Sequence, residues 1–163
     1  MALAAYTGSG IVAAMVVHVP ALPVAHPHVD VLADGSFLVV GARCRWAEPG
    51  PELNALAVGQ TGRILRRGCL GDGIGHLQVA GDGTIWAGYS DEGVFGNFGW
   101  GGTGPAPLGA GGIAAWSPDF DKTWELKPGK GSSPTATRST SAPARYLPAR
   151  TPTFPSSGSR VGR

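Results

Sequence analysis

His26, His28 and Asp30 stand at alternate positions and form the most chemical-looking group in the chain. On an extended strand such side chains share one face, and imidazoles with a carboxylate are a donor set for zinc or iron. Val31 follows them, and only His18 and His76 remain among the histidines, so nothing completes a metal site and none is expected. A second group lies between Tyr89 and Thr103, where the carboxylates of Asp91 and Glu92 stand among the rings of Tyr89, Phe95, Phe98 and Trp100 on a glycine-rich backbone. Aromatic faces beside acids suit sugars or cationic ligands. Adjacent acids point apart on extended chain and make no evident general acid/base pair. No catalytic residue is assigned, and the rings equally suit stapling the loop to its neighbours.

Other chemistries fail on context. Gly71-Asp-Gly73-Ile-Gly75 and Gly99-Trp-Gly-Gly102 precede a strand or more loop, whereas a phosphate cradle needs a helix amino terminus. No Gly-x-Ser-x-Gly elbow is present. Cys44 and Cys69, the only cysteines, have no metal-type spacing. Arg43 and Arg45 flank Cys44, and basic neighbours can lower a thiol pKa. Two free, buried or half-buried thiols are nevertheless the expectation, and no cofactor is implied.

The elements that must position these residues come from a repeat. His28-Val-Asp-Val-Leu-Ala-Asp-Gly-Ser-Phe-Leu-Val-Val-Gly41 returns 48 positions later as His76-Leu-Gln-Val-Ala-Gly-Asp-Gly-Thr-Ile-Trp-Ala-Gly88. Asp-Gly between alternating apolar residues is a tight-hairpin signal, so each copy is expected as two antiparallel strands. Val29, Val31, Phe37 and Val39 then share a face, matched by Leu77, Val79, Ile85 and Ala87. His28 and His76 fall in one register, as do Asp30 and Gln78. A weaker repeat relates residues 54–66 to residues 112–125, with Ala55 matching Ile113 and Leu65 matching Trp124 at offsets of 58 and 59. The added length falls between Tyr89 and Gly112. The fold class expected is all-β: about two four-stranded antiparallel units spanning residues 24–126.

The flanks differ in kind. Residues 1–23 carry the apolar run Ile11–Val17, with no preceding basic residue and with Pro20 and Pro23 close behind, so a strand spanning residues 11–19 is expected in place of a signal peptide or membrane helix. Residues 1–126 hold six Lys/Arg and eleven Asp/Glu, a net charge of −5, whereas residues 127–163 hold seven Lys/Arg and no acid, a net of +7. That last segment is rich in Ser, Pro, Thr and Arg without period and is expected to be a disordered tail. Its cations are spread singly, which argues against a nucleic-acid arm. It also reads as the product of a truncated or shifted reading frame.

The rhythm of strands and Asp-Gly hairpins at a spacing of about 40–50 residues resembles the blades of a β-propeller. His26-Pro-His28-Val-Asp30 is similar to the start of the His-x-His-x-Asp-His motif of metallo-hydrolases, from which Val31 departs. Ser117-Pro-Asp119-Phe-Asp121-Lys-Thr123-Trp124 resembles the Asp-box of sialidase-like propellers, with Asp121 in place of its Gly. The box implies a brace in which the Asp binds turn amides and the Trp packs within the blade. Residues 24–126 as a whole are similar to propellers of NHL, gluconolactonase-like or Asp-box type. That resemblance implies channel-facing positions for His28, Asp30, His76 and Gln78, and a variable face at residues 89–112. The function expected is a non-enzymatic binding or scaffold module, a fragment of a larger propeller. A propeller hydrolase acting on sugars or lactones is the alternative, and a non-functional product of an interrupted frame is another. A protein or carbohydrate partner, self-association through open blade edges, no nucleic acid, no membrane and a cytoplasmic location complete the expectation.

Overall fold

The structure, a computed structural model, describes residues 2–5, 15–19 and 21–127, all within the unit Met1–Lys130. Residues 11–14 and the segment 128–163, including the expected basic tail, lie outside the described residues.

Four turns of one kind set the strand pattern. At the first, Leu32 N–H donates to Ser36 O at 2.8 Å and Gly35 N–H to Leu32 O at 2.9 Å, while Asp34 Oδ1 accepts from the Ser36 amide at 2.9 Å. The second repeats it through Ala80, Gly83 and Thr84, with Asp82 Oδ1 accepting from the Thr84 amide at 2.9 Å. Gly35 at φ +78° and Gly83 at φ +87° take the left-handed position that closes each turn. The same pair of backbone bonds recurs at Gly59–Arg63 and at Ser117–Asp121. In the last of these the left-handed residue is Phe120, at φ +71°.

A short antiparallel pair, β1 (Ala2–Ala5) and β2 (Met15–His18), opens the chain. Of the strand expected across residues 11–19, residues 15–18 form β2, and residues 11–14 lie outside the described residues. Strands β3 (Pro27–Val31) and β4 (Phe37–Gly41) form the first long hairpin, in register Val29 to Val39 and Val31 to Phe37. A loop holding the two-residue strands β5 (Trp46–Ala47) and β6 (Gly50–Pro51) leads to β7 (Ala55–Val58) and β8 (Ile64–Gly68). The first sheet is β3-β4-β7-β8, antiparallel throughout. After the linker 69–73 come β9 (Ile74–Val79) and β10 (Ile85–Tyr89), then the single-turn helix α1 (Asp91–Phe95), then β11 (Ile113–Trp116) and β12 (Lys122–Glu125). The second sheet is β9-β10-β11-β12. The chain is thus all-β, with two four-stranded antiparallel sheets of the same order.

Residue equivalences between the sheets follow from the register. The offset is 48 through β3–β4 and β9–β10 and 58 through the remaining strands, and it stays at 58 into the fourth strands because both third strands carry a bulge at the same place, after Ala57 and after Ala115. Ala57 faces Arg66 and Ala115 faces Trp124. Trp124 therefore answers Arg66 and not Leu65 as the sequence match suggested, and Leu65 answers Thr123. A one-residue slip of this kind exchanges the two faces of a strand.

The core is layered. Leu38, Val40, Ala55 and Ala57 of the first sheet meet Ile85, Ala87, Ala114 and Trp116 of the second, with Leu70, Ile74 and Phe120 filling the gap. Phe120 fits because Gly68 has no side chain: a Cβ there would stand 2.6 Å from the Phe120 ring. On its other face the first sheet presents Phe37, Val39, Leu56 and Val58 to Val17 and Val19, beside Leu22 and Val24. Gly62 admits the His18 carbonyl, which any Cβ would strike. Strands β4 and β7 are therefore buried on both faces, each large aliphatic side chain contributing about 1.5–3 kcal/mol.

Two expectations about local chemistry are corrected. The turn amides of Asp119 and Asp121 are taken by the Ser117 hydroxyl, at 3.2 and 3.1 Å, while Asp119 lies 3.5 Å from Arg66. Trp124 is 47% exposed. The brace implied by the Asp-box resemblance is thus made by serine, and its tryptophan lies on an open face. The residues read as loop at 91–95 form α1, whose Gly93 packs on the Asp72 carbonyl, where a Cβ would collide.

Candidate functional site

Both long loops leave their sheets at the same end. Thirteen residues separate β4 from β7 and 23 separate β10 from β11, and this difference produces the change of offset from 48 to 58. The two loops touch. Trp46 N–H donates to Phe98 O at 2.9 Å, and Trp100 Nε1 donates to Cys44 O at 2.8 Å. Between them stands Arg43, whose role the sequence does not announce beyond its place beside Cys44.

Arg43 Nη2 donates to Asp72 Oδ2 at 3.1 Å, its Nε stands 3.1 Å from Oδ1 without a hydrogen bond, and its Nη1 pairs with Glu92 Oε2. Asp72 is buried and also accepts the Cys44 amide at 2.8 Å. Such a pair fixes the guanidinium plane. That plane lies 4.4 Å from the centre of the Phe98 ring, and the Arg45 guanidinium lies 5.3 Å from it. Phe98 is held at φ +46°, an uncommon conformation for a residue with a side chain. Asn97 Nδ2 donates to Glu92 Oε1 at 3.1 Å. Arg43, Arg45, Glu52 and Phe98 line a pocket of about 160 Å³. A wider one of about 480 Å³ runs beside it over Val24, Arg43, Glu52, Asn54 and Arg67.

The aromatics and acids singled out in residues 89–103 do different jobs here. Tyr89 donates its hydroxyl to Leu70 O at 2.7 Å, and burial pushes its phenol pKa up, so it anchors the linker. Trp100 is buried on Cys44. Glu92 and Phe98 join the Arg43 cluster. Asp91 and Phe95 lie exposed on α1, Phe95 at 66%. Asp91 Oδ1 accepts only the next amide, that of Glu92, at 3.0 Å. The loop residues therefore divide between structural anchors and an arginine–aromatic cluster.

His28 and Asp30 turn toward the second sheet. His28 Nε2 lies 3.1 Å from Ile74 O, and Asp30 Oδ2 accepts the Val79 amide at 2.7 Å. Together they fasten β3 to β9. Among the described residues no group of three or more His, Cys, Asp or Glu side chains could hold a metal ion.

His76 and Gln78, their equivalents 48 residues on, are exposed on the outer face of the second sheet. The register assigns each contacting position of the first sheet an equivalent on this face, mostly of another residue type. Leu38 and Val40 become Trp86 and Gly88, Ala55 and Ala57 become Ile113 and Ala115, and Arg66 becomes Trp124. Trp86 (40% exposed) and Trp124 stand edge to face, 5.6 Å between ring centres. His76, Gln78, Trp86, Gly88 and Ile113 border a cavity of about 560 Å³ on this face. Comparison with protein-family models, curated proteins and solved structures gave no match.

The thiols lie closer than their spacing suggested, with 3.5 Å between Cys44 Sγ and Cys69 Sγ. Both are free. The arginines beside Cys44 do not activate it. Its hydrogen bond to Cys69 and its burial push the Cys44 thiol up, while donation from Cys44 holds the Cys69 thiol below the ordinary value. No helix among the described residues is long and apolar enough to cross a membrane.

Proposed function

We propose that the chain is a non-enzymatic binding or scaffold module made of two adjacent blades of β-propeller type, part of a larger propeller, whose second sheet receives a further blade on its outer face. One observation carries this reading: at the positions equivalent to those by which the first sheet binds the second, the outer face of the second sheet leaves the large apolar side chains of Trp86, Ile113 and Trp124 exposed. An incoming four-stranded sheet would cover Trp86, Ile113 and Trp124. Its inner strand would offer a backbone carbonyl to His76 and an amide to Gln78, as Ile74 and Val79 offer theirs to His28 and Asp30. A stack of this kind gains stability from each new interface between neighbours.

Hydrolysis of a sugar or lactone finds less support. Asp30 is bonded to the Val79 amide and Glu92 to Arg43, and Asp91 stands apart on α1. Carbohydrate stacking on Trp86 and Trp124 is disfavoured too, since the rings meet at 62° and offer no common plane.

A direct test repeats the segment 69–126 immediately after Leu126, so that a third sheet follows the second. The expected result is that Trp86 and Trp124 of the inner copy become shielded from acrylamide while His76 and Gln78 gain amide-proton protection around them. Unchanged quenching of both tryptophans in a folded three-sheet chain would refute the proposal.

A further inference from the structure

The pair Cys44 and Cys69 belongs to no part of the recognition surface proposed above, yet its surroundings are built. Cys44 is fully buried, its amide held by Asp72 at 2.8 Å and its carbonyl by Trp100 at 2.8 Å. Cys69 is half-buried in the linker, next to Leu70, whose amide is held by Asn54 at 3.0 Å. Hydrogen bonds thus fix the main chain on both sides, and the two sulfurs face each other at 3.5 Å. A disulfide needs about 2.05 Å, so side-chain motion of roughly 1.5 Å in total joins them.

We propose that Cys44 and Cys69 are a reversible dithiol–disulfide site that exchanges with small-molecule disulfides and, when oxidised, clamps the 42–54 loop to the linker between the two sheets. The roles of the two sulfurs differ. Cys69 is the more accessible and its thiolate is favoured by hydrogen bonds from Cys44 and from the Gly71 amide. Its thiolate attacks one sulfur of an incoming disulfide RSSR, forming a mixed disulfide and releasing RS⁻. Cys44 then loses its proton to solvent and attacks the Cys69 sulfur, forming the internal bond and releasing the second RS⁻. Two electrons and two protons leave the protein, and both halves of RSSR end as thiols. Cys44 is the resolving group because burial keeps it from meeting the reagent first.

The clamp would hold two things together. Asp72, three residues beyond Cys69, is the anchor of Arg43, and Cys44 follows Arg43 directly. Oxidation therefore locks the base of the arginine–aromatic cluster, and reduction releases it.

The test uses the full chain in glutathione buffers of graded ratio, quenched in acid and read by intact mass and peptide mapping. Expected is a monomer lighter by two hydrogens, linked between Cys44 and Cys69, with a raised urea midpoint that falls back on adding dithiothreitol. Cys44→Ala should stop at a stable glutathione adduct on Cys69, and Cys69→Ser should give neither adduct nor crosslink. Should Cys44→Ala fail to fold, brief alkylation of the native wild-type chain makes the same distinction, because Cys69 must be labelled well ahead of Cys44. Disulfide-linked dimers, equal labelling of both thiols, or no reaction short of unfolding would each overturn the assignment.

Discussion

Replacing Asn54 by Ala removes one buried side chain that holds three backbone groups. Its amide donates to Gly41 O at 2.7 Å and to Gly71 O at 2.9 Å, and its oxygen accepts the Leu70 amide at 3.0 Å. Gly41, Leu70 and Gly71 are all buried. Each group left without a partner costs about 1–3 kcal/mol, and water entering the vacated space recovers part of that. The expected loss is therefore about 3–6 kcal/mol, a large share of the roughly 5–15 kcal/mol that stabilises an ordinary domain. With a urea slope of about 1–3 kcal/mol/M, the unfolding midpoint should fall by about 2 M. Tryptophan emission reports the transition. Asn54→Asp sharpens the assay, because a carboxylate keeps the bond from Leu70 but turns oxygens toward both carbonyls. Its folded pKa must then be raised, so its stability deficit should shrink at acid pH as the protonated form regains one donor. A loss below about 0.5 kcal/mol for Asn54→Ala, the range of an ordinary surface change, would show that these bonds do not tie the linker to the first sheet.

Three further outcomes are expected. Gly68→Ala should cost about 1–3 kcal/mol by driving a methyl into the Cβ and ring of Phe120, yet little in a Phe120→Gly background, so a double-mutant cycle in urea must show strong non-additivity. Arg43→Met should cost about 3–5 kcal/mol by stranding the buried Asp72 carboxylate, whereas Lys122→Met, which breaks an exposed pair with Glu125, should cost below about 1 kcal/mol; equal midpoints would contradict the difference in burial. Asp34 and Glu125 are held below the ordinary carboxylate range, by the Ser36 hydroxyl and by Lys122 respectively. Depressed folded pKa values confer stability above the unfolded values and lose it as pH falls through the folded ones. Urea midpoints should accordingly drop on acidification below about pH 5. The Asp34→Asn/Glu125→Gln chain should show a flatter profile, and a parallel one would refute the link.

The hairpins are legible in the sequence because turn chemistry is local: Asp-Gly-Ser and Asp-Gly-Thr specify both the positive φ and the capping carboxylate. The register of β3 on β4 follows from the tight turn, which sets Val31 opposite Phe37, since β4 is an unbroken apolar run and only β3 alternates. Register on β8 and β12 is not legible in the same way, since the bulges after Ala57 and Ala115 add a residue that no side-chain pattern announces. The left-handed turn residue at position 120 is hidden as well, because it is Phe and not Gly. At the site, sequence spacing identifies Glu92 and Phe98 but not their partner. Arg43 and Asp72 lie 29 residues apart and meet only after the linker folds back on the first sheet. His28 and Asp30 are recognised as a matched pair with His76 and Gln78. Their bonds to Ile74 and Val79 depend on the packing of one sheet against the next, which no pattern within a single strand contains.

The ten residues by which the second long loop exceeds the first bear on the order of folding. Within each sheet every strand pairs with its sequence neighbour, so chain closure is local except across the loops of 13 and 23 residues. Closing the longer loop costs only about 0.5 kcal/mol more by chain statistics. The larger difference is that residues 90–112 carry the ring of Trp100 and the helix α1, both of which need Cys44 and Asp72 already in place. The first sheet is thus the template, and the β10–β11 pairing should form after it. Substitutions at Leu56 or Val39 should then slow refolding, whereas a change at Ala114 should chiefly hasten unfolding, a partition that stopped-flow rates in urea would reveal.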